Sequence, residues 1–122
     1  MTEERDPHVQ RILDGTTWNE FCDRLRQAGE VILREKSPAS AFDRAEGYRY
    51  LSRITRAALQ TFVEHADPLA PVLQSVVHET AKMGADNPDN FYQNAAISGA
   101  HRYRLWGNRG SVHYLSFGTQ IG

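Results

Sequence analysis

The sequence has 122 residues, of which 40% are hydrophobic and 24% are charged, and its formal net charge is −1. This length and composition suit one domain with its own hydrophobic core and exclude a disordered chain. The near-neutral charge argues against nucleic acid as a partner. The single cysteine excludes an internal disulfide framework, and the lack of a long apolar run argues against a membrane span.

Residues 1–16 form a polar stretch that contains Pro7 and Gly15. This composition predicts a flexible arm with one short turn around residues 9–13. The first residues are charged and lack the apolar core of a signal peptide, so we expect a cytoplasmic protein.

A first long helix is predicted over residues 17–36. Thr17 and Glu20 have the spacing of a capping box, in which the hydroxyl and the carboxylate satisfy free amides at a helix start. Ser37-Pro38 ends the helix. Apolar residues at three- and four-residue spacings predict a buried face: Trp18, Phe21, Cys22, Leu25, Ile32 and Leu33. On this face, Cys22 is expected to be a buried small side chain rather than a nucleophile.

A second helix is predicted over residues 40–66. Ser40 and Asp43 repeat the capping pattern, an apolar stripe at helical spacing follows, and Asp67-Pro68 ends the helix. The linker between the two helices is short, which favours an antiparallel hairpin with both apolar faces buried.

Two features inside the second helix need an explanation. Gly47 costs about 1 kcal/mol relative to alanine in a helix interior, which a close neighbouring element would justify. Three arginines, Arg49, Arg53 and Arg56, form a basic stripe. A solvated helix face with an Arg49–Glu46 pair is the simpler interpretation, and an acidic partner is the alternative.

The second half of the chain is rich in β-formers and turn residues. Strands are predicted at residues 72–78, 91–97, 101–106 and 111–117, with hairpin connections at Ser98-Gly99 and Gly107–Gly110. The predicted fold class is therefore α+β, with an N-terminal helical hairpin packed on an antiparallel β-meander. Neither face of that sheet alternates cleanly, so the sheet is expected to belong to a larger β-sandwich-like protein.

A candidate ligand site follows from the strand period of two. Arg102, Arg104, Trp106 and His113 would share one sheet face, with Arg104 opposite His113. A guanidinium beside an indole and an imidazole can hold a carboxylate or a sulfate. The alternatives are arginines that pair with acids outside the chain, or a solvated face.

Two groups of residues raise the question of a metal. The loop Asp86–Asn90 is rich in oxygen ligands, but its spacing is not that of an EF-hand and its composition is typical of a turn. His78, His101 and His113 lie on separate predicted strands, and no H-E-x-x-H motif is present. We therefore predict neither a metal nor a cofactor.

Three blocks of the sequence resemble segments of bacterial proteins that carry the domain of unknown function 1214, and they occur in the same order as in those proteins. The blocks are residues 44–51, 84–90 and 103–110. The resemblance spans roughly residues 17–120. It implies the N-terminal part of a longer protein with more β-structure after it. It implies no catalytic residues, since that family has no settled activity to carry over.

The favoured function is that of a non-catalytic scaffold or of a binder of an apolar or aromatic small molecule. Anionic molecules are included in this ligand class. The alternative is part of an enzyme whose active site is completed by C-terminal sequence or a partner chain. Residues 112–121 have the pattern of a strand without a charged gatekeeper, and no closing element follows. We therefore expect a homo-oligomer, a partner chain or a continuation of the chain.

Overall fold

The computed structural model describes residues 6–85 and 87–121, and its regular structure is helical. The helices are α1 (Pro7–Leu13), α2 (Thr16–Glu30) and α3 (Ala41–Leu59). A 3-10 turn, Val31–Leu33, extends α2, and a π-helical turn, Gln60–Glu64, extends α3. None of the described helices has the length and apolar character that a bilayer span requires.

The start of α2 differs from the predicted one. Gly15, with φ of 79°, occupies the cap position in the left-handed region, which glycine adopts without steric cost. The Thr16 amide donates to Asp14 Oδ1 at 2.9 Å, so an acid before the helix replaces the predicted Thr17 cap. The capping box at Thr17 is therefore wrong. An ion pair between Arg11 and Glu20 joins α1 to α2.

The start of α3 confirms the predicted cap at Ser40. The Ser40 hydroxyl oxygen accepts a hydrogen bond from the Asp43 amide at 3.1 Å and donates to Asp43 Oδ2 at 2.6 Å. Asp43 also places negative charge in the first turn, which the helix dipole favours. The predicted Arg49–Glu46 pair is present at 2.7 Å.

Helix α3 runs antiparallel to α2, and Gly47 of α3 lies against Ile32 in the 3-10 turn that extends α2. A Cβ at position 47 would lie 3.0 Å from Ile32 Cγ2, and one at Gly29 would lie 3.8 Å from Leu51 Cδ2. Later residues of α2 therefore face earlier residues of α3. The tight contact at Gly47 supplies the physical reason for a glycine inside α3.

The predicted β-meander is wrong. The described residues contain two isolated antiparallel bridges, Gln74 with Asn94 and His78 with Ala81, and no sheet. The strands predicted at 72–78, 91–97, 101–106 and 111–117 do not form. Strand propensity depends on a partner and a packed face. Residues 74–78 are only half-buried, and residues 101–117 are exposed throughout, so these segments lack the packed face that a sheet needs.

Side chains also form hydrogen bonds with the backbone groups that the predicted hairpins would need for strand pairing. The Ser98 amide donates to the Tyr103 hydroxyl at 2.8 Å instead of to a ladder carbonyl. The Arg109 guanidinium donates from Nε and Nη2 to the Val112 carbonyl at 3.0 and 2.9 Å. Both connections are therefore turns stabilised by side chains.

The buried core is small. Only Ala57, Ala81 and Thr61 fall below 9% exposure among the described residues, at 4%, 0% and 7%. The apolar faces predicted to be buried are largely open, with Trp18 and Phe62 each 67% exposed. Cys22 is exposed as well, so its predicted burial is also wrong.

The solvent-accessible surface area of the chain is much larger than that of a compact monomer of the same mass. The chain exposes 10964 Å², whereas a compact monomer of 13.8 kDa exposes about 6,600 Å². The excess is about 4,300 Å². Relative to an unfolded chain of roughly 20,000 Å², about 45% of the surface is buried instead of about two-thirds.

Candidate functional site

The four predicted ligand-binding residues lie in residues 102–121, which we call the C-terminal segment. Arg102, Arg104, Trp106 and His113 are all exposed, and Trp106 is 83% exposed. The sheet face that was to bring them together does not form, so the structure gives them no common register. Their affinity for an anionic aromatic ligand stays a prediction.

Tyr103 attaches the start of the C-terminal segment to the rest of the chain. Its hydroxyl donates to the Pro68 carbonyl at 2.9 Å and accepts from the Ser98 amide at 2.8 Å. The His101 ring meets the Tyr103 ring edge-on, with centroids 6.4 Å apart. The predicted strand at residues 101–106 gave no indication of this attachment.

Arg109 fixes a turn in the middle of the C-terminal segment. Besides its two bonds to Val112, it donates to the His113 carbonyl at 3.3 Å. Asn108 Oδ1 accepts from the Gly110 amide at 2.8 Å, and Gly110 has φ of 63°. The described part of the chain shows no backbone-to-backbone hydrogen bond within residues 102–121.

An apolar groove runs along α3 and its π turn, with a volume of about 830 Å³. We call it the α3 groove. It is lined by Leu25 of α2 and by Leu51, Ser52, Thr55, Arg56, Leu59, Gln60, Val63 and Glu64. Apolar side chains form its floor, and Arg56 and Glu64 give it one charge of each sign. Neither of these two forms an ion pair within the described residues.

A second cavity of about 480 Å³ lies where residues 77–82 face residues 87–92. Its lining is mixed, with Arg56, His78, Glu79 and Lys82 beside Phe91 and Tyr92. His78 Nδ1 accepts from the Thr80 amide at 3.3 Å, and the Tyr50 hydroxyl donates to the Lys82 carbonyl. These contacts hold the bend at residues 78–82 against α3.

The loop predicted as a turn is one in its described part. Asn87 Oδ1 accepts from the Asp89 amide at 3.0 Å, and the Asn90 amide donates to the Asn87 carbonyl at 3.2 Å. Asp86 lies outside the described residues. Across residues 6–85 and 87–121, no group of three or more histidine, cysteine or acidic side chains could hold a metal, and His78, His101 and His113 do not form one.

The pKa of Asp14 lies below its ordinary value. The hydroxyl of Thr16 is the main cause and the Thr16 amide is the next, because both donate hydrogen bonds to the carboxylate and so favour its charged form. Asp14 belongs to the junction of α1 and α2. The shift therefore has a structural origin rather than a catalytic one.

The α3 groove combines two features that the sequence contains separately. Leu51, Leu59 and Val63 belong to the apolar stripe of the second helix, which is predicted to be buried, and Arg56 belongs to the basic stripe, which is predicted to be solvated. In the structure, these residues share one open face with Glu64. Opposite charges on either side of apolar residues are the pattern that could have identified the groove.

Comparison with known proteins gives a structural relative without a known function. The crystal structure of an uncharacterised protein from Burkholderia cenocepacia matches with 53% sequence identity and a TM-score of 0.64. The match covers 74% of this chain and 25% of that one, so this chain spans about a quarter of that protein's length. No family model matches the chain, and no curated protein matches it.

Proposed function

We propose that this chain is a non-catalytic scaffold module that completes its fold against another polypeptide. The observation that supports this proposal is the exposed surface of 10964 Å², about 4,300 Å² above that of a compact monomer. Most of the large apolar side chains of the described residues contribute to that surface.

The excess surface is too large for a transient contact. A standard interface takes about 800 Å² from each partner, and obligate complexes bury several thousand in total. Exposed apolar patches of more than a few hundred Å² are uncommon in monomers and mark interaction surfaces. An extensive and obligate interface therefore fits this chain best.

The relative from Burkholderia cenocepacia suggests the size of the partner. The match covers 74% of 122 residues, about 90, and these are 25% of a chain of about 360. About 270 residues of that protein lie outside the match. We propose that a polypeptide equivalent to those residues covers the open faces of this chain.

The C-terminal segment is the part of the surface best suited to such a partner. Within residues 6–85 and 87–121, its backbone amides and carbonyls make no hydrogen bonds to other backbone groups, and Trp106, Tyr114 and Phe117 are strongly exposed. A segment whose backbone is not paired with another strand and whose apolar side chains are exposed can pair with a partner's backbone and fill its pockets. Tyr103 and Arg109 already hold part of it in place, which lowers the entropy lost on binding.

A chimaera tests the proposal. The matched quarter of the Burkholderia cenocepacia protein is replaced by this chain, and urea unfolding of the chimaera is compared with that of the isolated 122 residues. We expect one steep transition for the chimaera and a shallow transition with binding of a hydrophobic dye for the isolated chain.

As a control, one double variant of exposed aromatic residues is made both in the chimaera and in the isolated chain. Tyr114→Ser with Phe117→Ser should lower the stability of the chimaera by about 2 kcal/mol or more, because buried aromatic area is lost. The isolated chain should be unaffected, since both side chains are exposed there. Equal effects in the two contexts, or a steep and dye-free transition of the isolated chain, would refute the scaffold proposal.

A further inference from the structure

We infer that the α3 groove is a two-fold symmetric interface for a second copy of this chain. The inference is independent of the scaffold proposal, since the C-terminal segment does not line this groove. The surface excess of about 4,300 Å² is larger than one standard interface, so the chain has room for both contacts.

The charges of the groove are self-complementary. Arg56 lies four residues before Gln60, and Glu64 lies four residues after it. When two α3 helices pair antiparallel about an axis at Gln60, Arg56 of each copy faces Glu64 of the other. A two-fold interface requires this property, because one patch must bind itself.

The π-helical turn makes this arrangement possible. Eight residues of α-helix rotate by about 800°, which would leave Arg56 and Glu64 about 80° apart around the helix. The π turn, closed by the bond from the His65 amide to the Gln60 carbonyl at 3.0 Å, rotates less per residue and reduces that angle. Both side chains line the groove as a result.

The apolar side chains of the groove supply contact between and beside the two charges. Leu59 and Val63 are exposed and lie between or beside the charges, and Leu51 and Leu25 extend the apolar surface. Residues 52, 56, 59 and 63 follow the alternating four- and three-residue spacing of a helix-pairing seam. Two helices of this length make a small interface, so we expect dissociation in the micromolar range.

Sedimentation velocity of the full chain from about 1 to about 500 µM, the range expected for such an interface, tests the inference. The wild type should shift from monomer to dimer. Arg56→Glu leaves an acid at both charged positions of the groove, and Glu64→Arg leaves a base at both. Each variant alone should lose at least about tenfold in dimer affinity, because like charges then face each other.

Mixing the two variants is the decisive arm. An all-acidic groove and an all-basic groove are complementary, so the mixture should form a heterodimer although neither variant self-associates. The double variant Arg56→Glu with Glu64→Arg should again self-associate within about threefold of the wild type. Circular dichroism of each variant verifies that the helices are intact.

Trp106→Ser, on the C-terminal segment, is the matched control and should leave the dimer unchanged. Three results would overturn the inference: a monomer at every concentration, association that ignores the charge reversals, or a mixture that stays monomeric. The first result would mean that the groove does not bind a second copy of this chain, and the second would indicate non-specific apolar association.

Discussion

At the scale of single residues, Gly47 makes room for Ile32 in the 3-10 turn that extends α2. A methyl group at this position would lie 3.0 Å from Ile32 Cγ2, closer than van der Waals contact allows. We predict that Gly47→Ala gains less stability than the roughly 1 kcal/mol of its helix propensity, or loses stability. Urea unfolding monitored by circular dichroism measures the difference.

Gly29 is the matched control, since a methyl group there would make an ordinary 3.8 Å contact with Leu51 Cδ2. Gly29→Ala should stabilise the chain by up to about 1 kcal/mol. Ile32→Leu removes the branched methyl, so Gly47→Ala should be better tolerated in that background. Additive effects of the two changes would contradict a steric contact at Gly47.

Asp14 gives the chain a specific dependence on acid. Hydrogen bonds from Thr16 lower the pKa of Asp14 in the folded state. A lowered folded pKa contributes stability that is present above the unfolded pKa and is lost as the pH falls through the folded pKa. We predict that Thr16→Ala raises the pKa of Asp14 towards its ordinary value, as measured by NMR titration of the carboxyl carbon.

Thr17→Ala is the control for this titration. Thr17 lies inside α2 and makes no capping bond, so its removal should leave the Asp14 titration unchanged. The same shift in both variants would mean that helix fraying, and not the Thr16 hydroxyl, sets the pKa.

At the scale of elements, the two capping signatures of the sequence are not equivalent. Ser40 accepts the Asp43 amide, whereas the start of α2 relies on Gly15 and Asp14. We predict that Ser40→Ala costs about 1 kcal/mol, and that Thr17→Ala is neutral or slightly stabilising because alanine favours helix interiors. Thermal unfolding of both variants measures the two changes in stability. An equal loss in both would indicate that Thr17 caps α2 after all.

Helices were predictable here because their signals are local. The cap at Ser40 and the stop before Asp67-Pro68 act within a few residues, and α3 with its π turn keeps close to the predicted bounds. Strands depend on partners distant in sequence. Residues 101–117 have the composition of strands, yet Tyr103 and Arg109 use nearby backbone groups, and no second strand is available within the described chain.

The candidate site was predicted less well than the helices. Placing Arg104 opposite His113 required a register, and a register exists only in a sheet. The α3 groove depends instead on which faces α2 leaves uncovered, which helical spacing alone does not reveal. Arg56 and Glu64 were visible in the sequence, but their common face required the π turn.

At the scale of the whole molecule, the low burial has a measurable consequence for unfolding. The denaturant dependence of stability, the m-value, is proportional to the surface exposed on unfolding. The isolated chain buries about 45% of its unfolded surface and a compact domain of this size about two-thirds. We predict an m-value in urea about two-thirds of that of a compact 122-residue domain.

Samples below the dimerisation range are needed for this measurement, because association adds buried surface. An m-value equal to that of a compact domain would show that the apolar faces close on one another in solution. It would also remove the basis of the scaffold proposal.

Because both tryptophans are exposed, their intrinsic fluorescence can report on partner binding. Trp18 lies on α2 and Trp106 on the C-terminal segment, and both indoles are open to water in the isolated chain. Their emission should be red-shifted and readily quenched by iodide. With Trp18→Phe, the remaining fluorophore reports on the C-terminal segment alone, and with Trp106→Phe it reports on α2. A blue shift in one and not the other would reveal in real time which face a partner covers first.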